Sequence, residues 1–330
     1  MTSADFARNL GTRSSGALDE NVTDQGAAMP LHEGRTYVVT GADGGIGASV
    51  AGTLEDHGAR VIRCGQGPEI DVRADLADDP GRDQLVQEVG RRAPGGIDGL
   101  VLVTGPVTAS ERTVHEDYFG SLAVLAGLRV VLRRKRSPRV VLVTSASSLT
   151  AGDGDVISAC LRGDEELAGA AAEVAVASGR GGELSRSAAI ALNRWVRQSA
   201  TAEEWAGTGV VVNVVAPGLV ETDTARDVML ADQDQLNVLR TALPQPLGLP
   251  GPIRAVADAI SWMVSEQNSF MAGQIVFVDG GADAALRSDR PYVDGAHYSP
   301  MAMARMMFWS LRAKARPLLR AGGPRGRTGS

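Results

Sequence analysis

The segment TGADGGIG, from Thr40 to Gly47, carries the strongest signal in this 330-residue chain. It follows directly on a β-branched run, Arg35–Thr40, and opens a helical pattern. Glycine suits a backbone that turns sharply, approaches a pyrophosphate closely or packs a helix against a strand, and the helix N-terminus supplies N–H groups with a positive dipole end. Strand, glycine turn and helix in this order predict a nucleotide-binding turn; a tight turn with a purely structural role is the alternative.

Short apolar runs continue to alternate with helix-length segments along the chain. Besides the first run, the predicted buried strands are Arg60–Cys64, Gly99–Thr104, Val140–Thr144, Val210–Val215 and Gln274–Val278. Because these runs are apolar on both faces and are separated by crossovers of helix length, they predict an α/β fold with a doubly wound parallel sheet of the Rossmann type. In this fold the ligand binds at the carboxyl ends of the strands.

The alternation predicts a single domain over residues 34–283 with an extension at each end. Residues 1–33 are polar and rich in Gly, Ser and Asp, and we expect a flexible N-terminal extension there. Within the domain, residues 150–182 are rich in Ala, Gly and Glu and predict a helical insertion.

The C-terminal extension, residues 284–330, differs from the rest of the chain in charge. Residues 301–330 carry seven basic side chains and no acidic one, whereas residues 1–300 have a balance of −13. The pair Ser299-Pro300 predicts the start of a helix over about 300–316, with arginines on one side and Met, Phe, Leu and Ala on the other. Such a helix binds a membrane surface or a partner groove; alternatively, it packs on its own subunit or on the second subunit of a dimer.

Composition argues against several classes of function. A net charge of −6 argues against a nucleic-acid partner for the body of the protein. The chain has only Cys64 and Cys160 and four histidines, so we expect neither a disulfide framework nor a metal site. No stretch approaches 18 consecutive apolar residues and the first 34 residues lack an apolar segment, so we expect a cytoplasmic protein.

Four further stretches extend the signal of the glycine turn. These are Ala74-Asp75-Leu76, Asp98–Gly105 (DGLVLVTG), Asn213–Thr222 (NVVAPGLVET) and Gly273–Gly281 (GQIVFVDGG). Together with TGADGGIG they make the chain resemble the short-chain dehydrogenase/reductase family, whose glycine motif reads TGxxxGIG. Within that family the chain is most similar to the bacterial 3α-hydroxysteroid dehydrogenase/carbonyl reductase group, with which it shares the segment ALNRWVR at Ala191–Arg197.

The resemblance implies a bound nicotinamide cofactor. The residues that it assigns to cofactor binding are Thr40, Gly41, Asp43, Gly45, Ile46, Gly47, Gly65, Asp75, Leu76, Thr104, Gly105, Pro217, Gly218, Val220 and Thr222. At the end of the second strand, where an acidic residue would bind the ribose 2′-hydroxyl and a basic one a 2′-phosphate, the chain has Gly65 and then Gln66. Asp43 would repel a 2′-phosphate and an outward-facing Arg63 would attract one. On balance we expect NAD(H) rather than NADP(H), with the alternative that no cofactor binds.

The resemblance also implies a substrate pocket and an assembly. Residues 219–250, with many Leu, Val and Met side chains, are similar to the substrate lid of the family, and an apolar lid implies an apolar, carbonyl-containing small molecule. The insertion at residues 150–182 occupies a face that other members of the family use for association. We therefore expect a homodimer of unusual arrangement.

The catalytic pattern of the family is incomplete in this chain. Members of the family use a serine that polarises the carbonyl, a tyrosine that transfers the proton and a lysine that lowers the pKa of the tyrosine. Ser145, in the sequence VVLVTSASS, stands at the serine position. Ser185 and Ala189 stand at the tyrosine and lysine positions, and no tyrosine anywhere in the chain is followed four residues later by a lysine.

Two carboxylates are candidates for the missing acid or base. Asp117 stands where the family has an asparagine; its alternative role is on a solvated helix face. Asp153, in the sequence GDGD, either reaches the pocket or forms a simple turn. A carboxylate in a half-buried cleft has a raised pKa and acts as an acid near neutral pH.

Three functions follow from these observations. Ser145, the apolar lid and the new carboxylates favour an enzyme with non-redox chemistry, namely cyclisation, dehydration or isomerisation of a carbonyl-bearing bacterial metabolite. The intact glycine turn and the Asn213–Thr222 stretch favour a carbonyl reductase with a substitute proton donor. The loss of two catalytic groups favours a catalytically silent binding subunit. The sequence ranks the three in this order.

Overall fold

The structure is a computed structural model that describes residues 31–103, 105, 109–223, 225–226, 233–296 and 298–321. Seven parallel strands form one sheet in the order β3-β2-β1-β4-β5-β6-β7. In chain order the strands are β1 (Thr36–Val39), β2 (Arg60–Gly65), β3 (Val72–Arg73), β4 (Gly99–Val103), β5 (Arg139–Val143), β6 (Val211–Pro217) and β7 (Ile275–Val278). The order proceeds outward from β1 in both directions, which makes the sheet doubly wound.

Helices follow the strands in alternation. Those described are α1 (Gly45–Asp56), α2 (Asp79–Arg92), α3 (Arg112–Val114), α4 (Ser121–Leu132), α5 (Gly154–Arg162), α6 (Glu165–Ala177), α7 (Leu184–Ser199), α8 (Gln233–Ala242), α9 (Ile253–Val264), α10 (Ala282–Arg287) and α11 (Pro300–Ala321). The segment between α3 and α4, His115–Gly120, is a π-helical turn. No described helix combines the length and the apolar composition that crossing a membrane requires.

Successive residues of each strand pack into two different core layers. In β4, Leu100 and Leu102 belong to the layer beneath α2, α4 and α7, whereas Val101 belongs to the layer beneath α1 and α9. Because helices cover both faces of the sheet, both sets of side chains are buried. This is the reason that the strands appear in the sequence as continuous apolar runs.

The parallel arrangement brings four functional segments to one edge of the sheet. Thr40 follows β1, Gly105 follows β4, Ser145 follows β5 and Gly218 follows β6. Since these strands are neighbours with aligned registers, the four segments lie side by side at the carboxyl edge.

The fold class predicted from the sequence is confirmed. The structure adds β3, which at two residues is too short to produce a periodic pattern. The predicted helical insertion contains α5 and α6. Helix α11 continues past Pro317 to Ala321, beyond the predicted end near residue 316, since a proline lowers helix stability without always ending a helix. Residues 1–30 of the predicted N-terminal extension lie outside the described residues.

Candidate functional site

The glycine turn joins β1 to α1 with a geometry that requires glycine. Gly41 and Gly45 have φ values of +59° and +48°, in the left-handed region. A Cβ on Gly47 would lie 2.0 Å from the carbonyl oxygen of Gly41, so no side chain fits there. Gly44 precedes α1 without a side-chain cap, and the first turn of α1 contains no acidic residue. The first N–H groups of α1 and its positive dipole end are therefore available to an anion.

Strands β1 and β4 are tied together next to this turn. The Thr40 hydroxyl accepts a hydrogen bond from the Val103 N–H at 2.9 Å and donates to the Val103 carbonyl at 3.3 Å. Beyond β4, the N–H of Gly105 donates to Oδ1 of Asp117 at 2.8 Å. Thr104 lies outside the described residues, so its assignment to cofactor binding stays a prediction.

The Asp43 carboxylate takes the place of a side chain at the end of β2. Its Oδ2 accepts hydrogen bonds from the N–H groups of Gln66 at 2.9 Å and Gly67 at 2.8 Å. Its Oδ1 lies 2.6 Å from the point that a Cβ on Gly65 would occupy. Arg63 does not offset this charge, because it pairs with Glu55 at 2.7 Å. The sequence has no acidic residue at position 65, but the carboxylate of Asp43 lies where the side chain of residue 65 would begin.

Two more carboxylates lie on the same side of the cleft. Asp75 contacts Arg112 at 2.5 Å, and the hydrogen bond from this guanidinium lowers the pKa of Asp75. An oxygen of Glu116 lies 2.8 Å from the point that a Cβ on Gly105 would occupy. Burial raises the pKa of Glu116; Arg112 opposes the shift, and the charges of Asp75 and Asp43 add to it. These couplings place the three carboxylates in one acidic region, with Arg112 as its cation.

Leu76 and Ile46 are the two described apolar residues that lie next to these carboxylates and the glycine turn and that are assigned to cofactor binding. The Leu76 carbonyl accepts a hydrogen bond from Arg82 at 2.8 Å, and a Cβ on Gly120 would lie 2.4 Å from the same oxygen. The π-helical turn therefore packs directly on the chain after β3. Ile46 is half-buried against the core layer beneath α1.

The chain after β6 returns to the glycine turn. The residues assigned to the cofactor in this return are Pro217, Gly218, Val220 and Thr222. The methyl group of Thr222 lies 3.5 Å from the point that a Cβ on Gly45 would occupy. The fold thus brings the first and the last predicted cofactor segments into contact.

Ser145 lies at the carboxyl end of β5, in a turn that is fastened to α7. Its Oγ accepts a hydrogen bond from the Ser147 N–H at 3.1 Å, so its own proton can be donated to a ligand. Asn193 of α7 accepts from the Thr144 hydroxyl at 3.1 Å and donates to Ser148 Oγ at 3.0 Å. The half-buried Ser145 hydroxyl is therefore held in a fixed position.

Helix α7 presents a half-buried hydroxyl, Ser185, and a buried methyl group, Ala189, one turn apart. Among the residues whose side chains are described, no other tyrosine phenol or lysine ammonium group takes the place of the tyrosine and lysine that the family has at these positions. The two buried tyrosines belong to the hydrophobic core and the other two are exposed. Lys135 pairs with Asp98 at 3.0 Å, at the amino end of the strands and thus away from the site.

Asp117 is buried in the π-helical turn, where only 2% of its surface is exposed. Burial raises the pKa of Asp117 well above its usual range; the Gly105 N–H opposes the shift and the neighbouring Glu116 adds to it. The carboxyl group therefore keeps its proton at pH values at which an exposed aspartate is ionised. Since π-helical turns are frequent at functional sites, Asp117 is a candidate acid beside the β4 turn.

Comparison with known proteins decides the family. A family profile described as enoyl-(acyl carrier protein) reductase matches residues 167–283. The chain is 32% identical over 260 residues to the 3-alpha-hydroxysteroid dehydrogenase/carbonyl reductase of Comamonas testosteroni, covering 76% of this chain and 97% of the relative. The chain belongs to the short-chain dehydrogenase/reductase family.

Other oxidoreductases show the same relationship. The chain is 28% identical to the 3-oxoacyl-acyl-carrier-protein reductase FabG of Escherichia coli, covering 76% of this chain and 97% of that enzyme. The crystal structure of the 3-alpha-hydroxysteroid dehydrogenase from Pseudomonas sp. B-0831, complexed with NADH, is 34% identical and aligns with a TM-score of 0.69 over 77% of this chain and 98% of that one. The resemblance found in the sequence is confirmed.

Asp153 is used as a helix cap in this short-chain dehydrogenase/reductase. Its Oδ1 accepts hydrogen bonds from the N–H groups of Asp155 at 3.0 Å and Val156 at 3.1 Å, and its Oδ2 pairs with Arg180. Burial opposes ionisation, but the hydrogen bonds from Val156 and Arg180 hold the pKa of Asp153 below its usual range. These contacts favour the structural alternative over a catalytic role, because the carboxylate holds no proton to donate near neutral pH.

Gln245 orders part of the predicted lid of this short-chain dehydrogenase/reductase, although no sequence pattern marks it. Its side chain accepts from the Leu219 N–H at 2.6 Å and donates to the carbonyls of Leu219 at 3.2 Å and Gly248 at 3.1 Å. A polar residue in a loop has no periodicity to reveal it. The motifs of the sequence likewise do not include Arg112 or Glu116. Their spacing of four residues, which suits an ion pair on a helix, is the only sequence signal that points to them.

Proposed function

We propose that this protein is a NAD(H)-dependent oxidoreductase that reduces the carbonyl group of an apolar small molecule, or oxidises the corresponding alcohol. The observation that carries the proposal is Asp117, a buried carboxyl group with a raised pKa that contacts the β4 turn. The domain lacks the usual tyrosine and lysine. Asp117 is a group beside the β4 turn that can hold the proton that reduction requires. The oxidoreductase relatives, which the chain matches over its whole domain, support the same chemistry.

The residues present fit a dinucleotide. The glycine turn has no room for side chains at Gly47, and the uncapped N-terminus of α1 suits a pyrophosphate. Asp43, at the end of β2, is positioned to accept a hydrogen bond from a ribose hydroxyl, and it disfavours a 2′-phosphate by charge repulsion. Asp43, Asp75 and Glu116 together make this half of the cleft selective for NAD(H) over NADP(H). When bound, the dinucleotide supplies or accepts the hydride.

The chain itself must then place a proton on the carbonyl oxygen. Ser145 donates a hydrogen bond to that oxygen and stabilises the negative charge that develops there. Asp117 holds the proton on Oδ2, because Oδ1 accepts the Gly105 N–H. Ser185 and Ala189 are much smaller than a tyrosine and a lysine, and the proposal requires a water molecule beside them to carry the proton from Asp117 to the substrate. Each reduction adds one hydride to carbon and one proton to oxygen, and alcohol oxidation reverses both transfers.

The lid indicates the class of substrate. Residues 224 and 227–232 of the predicted lid, 219–250, lie outside the described residues. In the remainder, Val238 of α8 is 66% exposed and Leu247 is 90% exposed. An apolar ligand beneath the lid would cover such side chains, which supports an apolar carbonyl compound as substrate.

The proposal is tested with the full chain, NADH and a panel of steroid, quinone and aromatic ketones. Slow NADH oxidation is expected, since a positioned tyrosine contributes about 10²–10⁴-fold to such reactions. The variant Ser185→Tyr/Ala189→Lys restores that pair one helical turn apart and should raise turnover by at least about 10-fold. If wild type and variant bind NADH but neither forms an alcohol from any ketone, the redox proposal is wrong.

A second candidate is non-redox chemistry on a carbonyl-bearing metabolite, namely cyclisation, dehydration or isomerisation. The observation in its favour is that the Ser145 turn is intact while the residues at 185 and 189 no longer serve hydride transfer. Mass spectrometry of the products separates the candidates. A gain of two hydrogens indicates reduction, a loss of water indicates dehydration, and an unchanged mass with a new retention time indicates isomerisation or cyclisation. Binding without any product supports a silent subunit.

A homodimer remains part of the proposal. Strand β7 forms one edge of the sheet and its residues are only half-buried, so its backbone and side chains are available to a second copy. Sedimentation analysis of the full chain tests it, and a monomer at micromolar concentration would contradict it.

A further inference from the structure

Helix α11 is exposed over most of the part whose side chains the structure describes. Every side chain from Met303 to Arg312 is exposed, although this stretch contains six large apolar residues. Met307, for example, is 66% exposed and Leu311 is 63% exposed. Exposed apolar surface of this extent on one helix marks an interaction site, because isolated apolar residues are common on protein surfaces but contiguous groups are not.

The helix has a basic side and an apolar side. At 100° per residue, Arg305 and Arg312 fall about 20° apart, and Met303, Met307 and Leu311 fall within an arc of about 80° on the opposite side. With 22 residues the helix is roughly 33 Å long. A long helix with arginines on one side and methionine and leucine on the other has the pattern of helices that lie in a membrane interface.

Trp309 belongs to the basic side of the helix. The guanidinium of Arg312 lies over its ring, 5.6 Å from the ring centroid, and Phe308 packs against it edge to face. Indole and guanidinium groups side by side suit the headgroup level of a membrane, where an aromatic ring has apolar and polar surroundings at once.

Charge favours an anionic lipid surface over the two grooves that the structure describes on the domain. A groove of about 620 Å³ between α7, β7 and residues 287–292 is lined by three arginines, Arg194, Arg197 and Arg287, and by no acidic residue. A smaller groove next to the lid is lined by Arg240, again without an acidic residue. These two described grooves would repel α11, whose sequence contains five basic residues and no acidic one.

We propose that α11 binds the surface of membranes that contain anionic lipid. The helix lies parallel to the surface, with Met303, Met307 and Leu311 among the acyl chains and the arginines at the lipid phosphates. The chain before α11, with a balance of −13 over residues 1–300, is repelled by the same surface. The helix therefore holds the domain at a membrane without contributing to the fold of the domain. With the function proposed above, the membrane is a source of apolar substrate molecules.

The full chain is tested by flotation with phosphatidylcholine vesicles that contain 0% or 30% phosphatidylglycerol, a composition of the order that gives a negative surface potential. Binding is expected only with phosphatidylglycerol, and raising the salt concentration from about 0.1 M to about 0.5 M should release the protein, because salt screens the interaction. Tryptophan emission should shift to shorter wavelength on binding, and Trp309→Phe should remove that shift.

Two variants separate the contributions of the two sides. Arg305→Glu/Arg312→Glu changes the basic side and Met307→Glu/Leu311→Glu the apolar side, and each should weaken vesicle binding at least about 10-fold. Arg133→Glu/Arg162→Glu makes the same charge change at two exposed arginines of the domain and should bind as the wild type does. Because the changed residues of α11 are exposed, both α11 variants should keep the wild-type melting temperature, which excludes misfolding as the cause.

Three results would overturn the proposal. The first is no binding to either vesicle. The second is equal binding to both, which would remove the role of the basic side. The third is a wild-type protein that is a dimer and does not bind vesicles, together with a Met307→Glu/Leu311→Glu variant that is a monomer. This result would identify a second copy of the chain as the partner of α11.

Discussion

Asp43 and Gly65 share one site. The Oδ1 atom of Asp43 lies 2.6 Å from the point that a Cβ on Gly65 would occupy, so a carboxylate reaches the end of β2 from the glycine turn instead of from β2 itself. The two positions are therefore alternatives: an acid at one requires a small residue at the other.

Moving this acid between the two positions should move the preference for NAD(H). Asp43→Asn keeps an acceptor for the N–H groups of Gln66 and Gly67 but removes the charge, and a charged hydrogen bond contributes about 10–100-fold to affinity. We expect weaker NADH binding and tighter NADPH binding by calorimetry. Asp43→Ala/Gly65→Asp should recover the preference for NADH, because alanine removes the atoms that a side chain at 65 would meet.

The single variant Gly65→Asp is the control for this exchange. It should bind NADH less well than the wild type, since its carboxylate meets that of Asp43. Equal NADH and NADPH affinities in wild type and Asp43→Asn would refute the role of Asp43. A wild-type protein that binds neither nucleotide would instead refute the cofactor proposal.

Asp117→Asn should make the protein slower and more stable. The native carboxyl holds a proton that the unfolded chain releases above about pH 4, so in wild type the free energy of unfolding falls as the pH rises from 4 towards the native pKa. Asparagine removes this loss, and we expect a higher melting temperature at pH 8. Ketone reduction should fall by about 10²–10⁴-fold. The wild-type rate should decline at high pH as Asp117 loses its proton, and this decline should be absent in the variant.

An exposed aspartate provides the comparison for Asp117. Asp155→Asn on α5, at an exposed position, should leave the turnover unchanged. A destabilised Asp117→Asn variant with unchanged turnover would mean that Asp117 is ionised and structural.

Ser145→Ala should lower turnover much more than stability. The hydroxyl is half-buried and accepts one hydrogen bond from the Ser147 N–H, so its loss has a small effect on the fold. Removing an oxyanion donor typically costs about 10²–10³-fold in rate, whether the reaction is a reduction or an enolisation. Steady-state kinetics and a melting curve of the same preparation check both statements. Unchanged turnover would favour the silent-subunit alternative.

His32 should make the protein sensitive to mild acid. Its two ring nitrogens bond to the Tyr37 hydroxyl and to Ser261 Oγ, both at 2.8 Å, and burial lowers the pKa of His32 to about 4. The unfolded histidine takes up a proton below about pH 6.5, so the free energy of unfolding should fall between pH 6.5 and 4, by up to about 3 kcal/mol. Urea unfolding at pH 7 and pH 4.5 measures this, and His32→Gln should reduce the difference between the two values.

The sequence was sufficient for the fold class and for the absence of a tyrosine and a lysine four residues apart. Both depend on local information: the strand periodicity reports burial on two faces, the glycine turn is contiguous from Thr40 to Gly47, and the absence of a tyrosine four residues before a lysine holds for any alignment. Strand β3 escaped detection because two residues carry no period.

The surroundings of the carboxylates became visible only in the tertiary structure, because burial and charge partners come from residues distant in the chain. Asp117 and Asp153 were equivalent candidates in the sequence, yet burial beside Gly105 raises the pKa of Asp117, whereas Arg180 and two helix N–H groups hold the pKa of Asp153 below its usual range. Likewise, the missing acid at Gly65 is apparent from the sequence, but its replacement by Asp43 becomes visible only when the glycine turn packs against the end of β2.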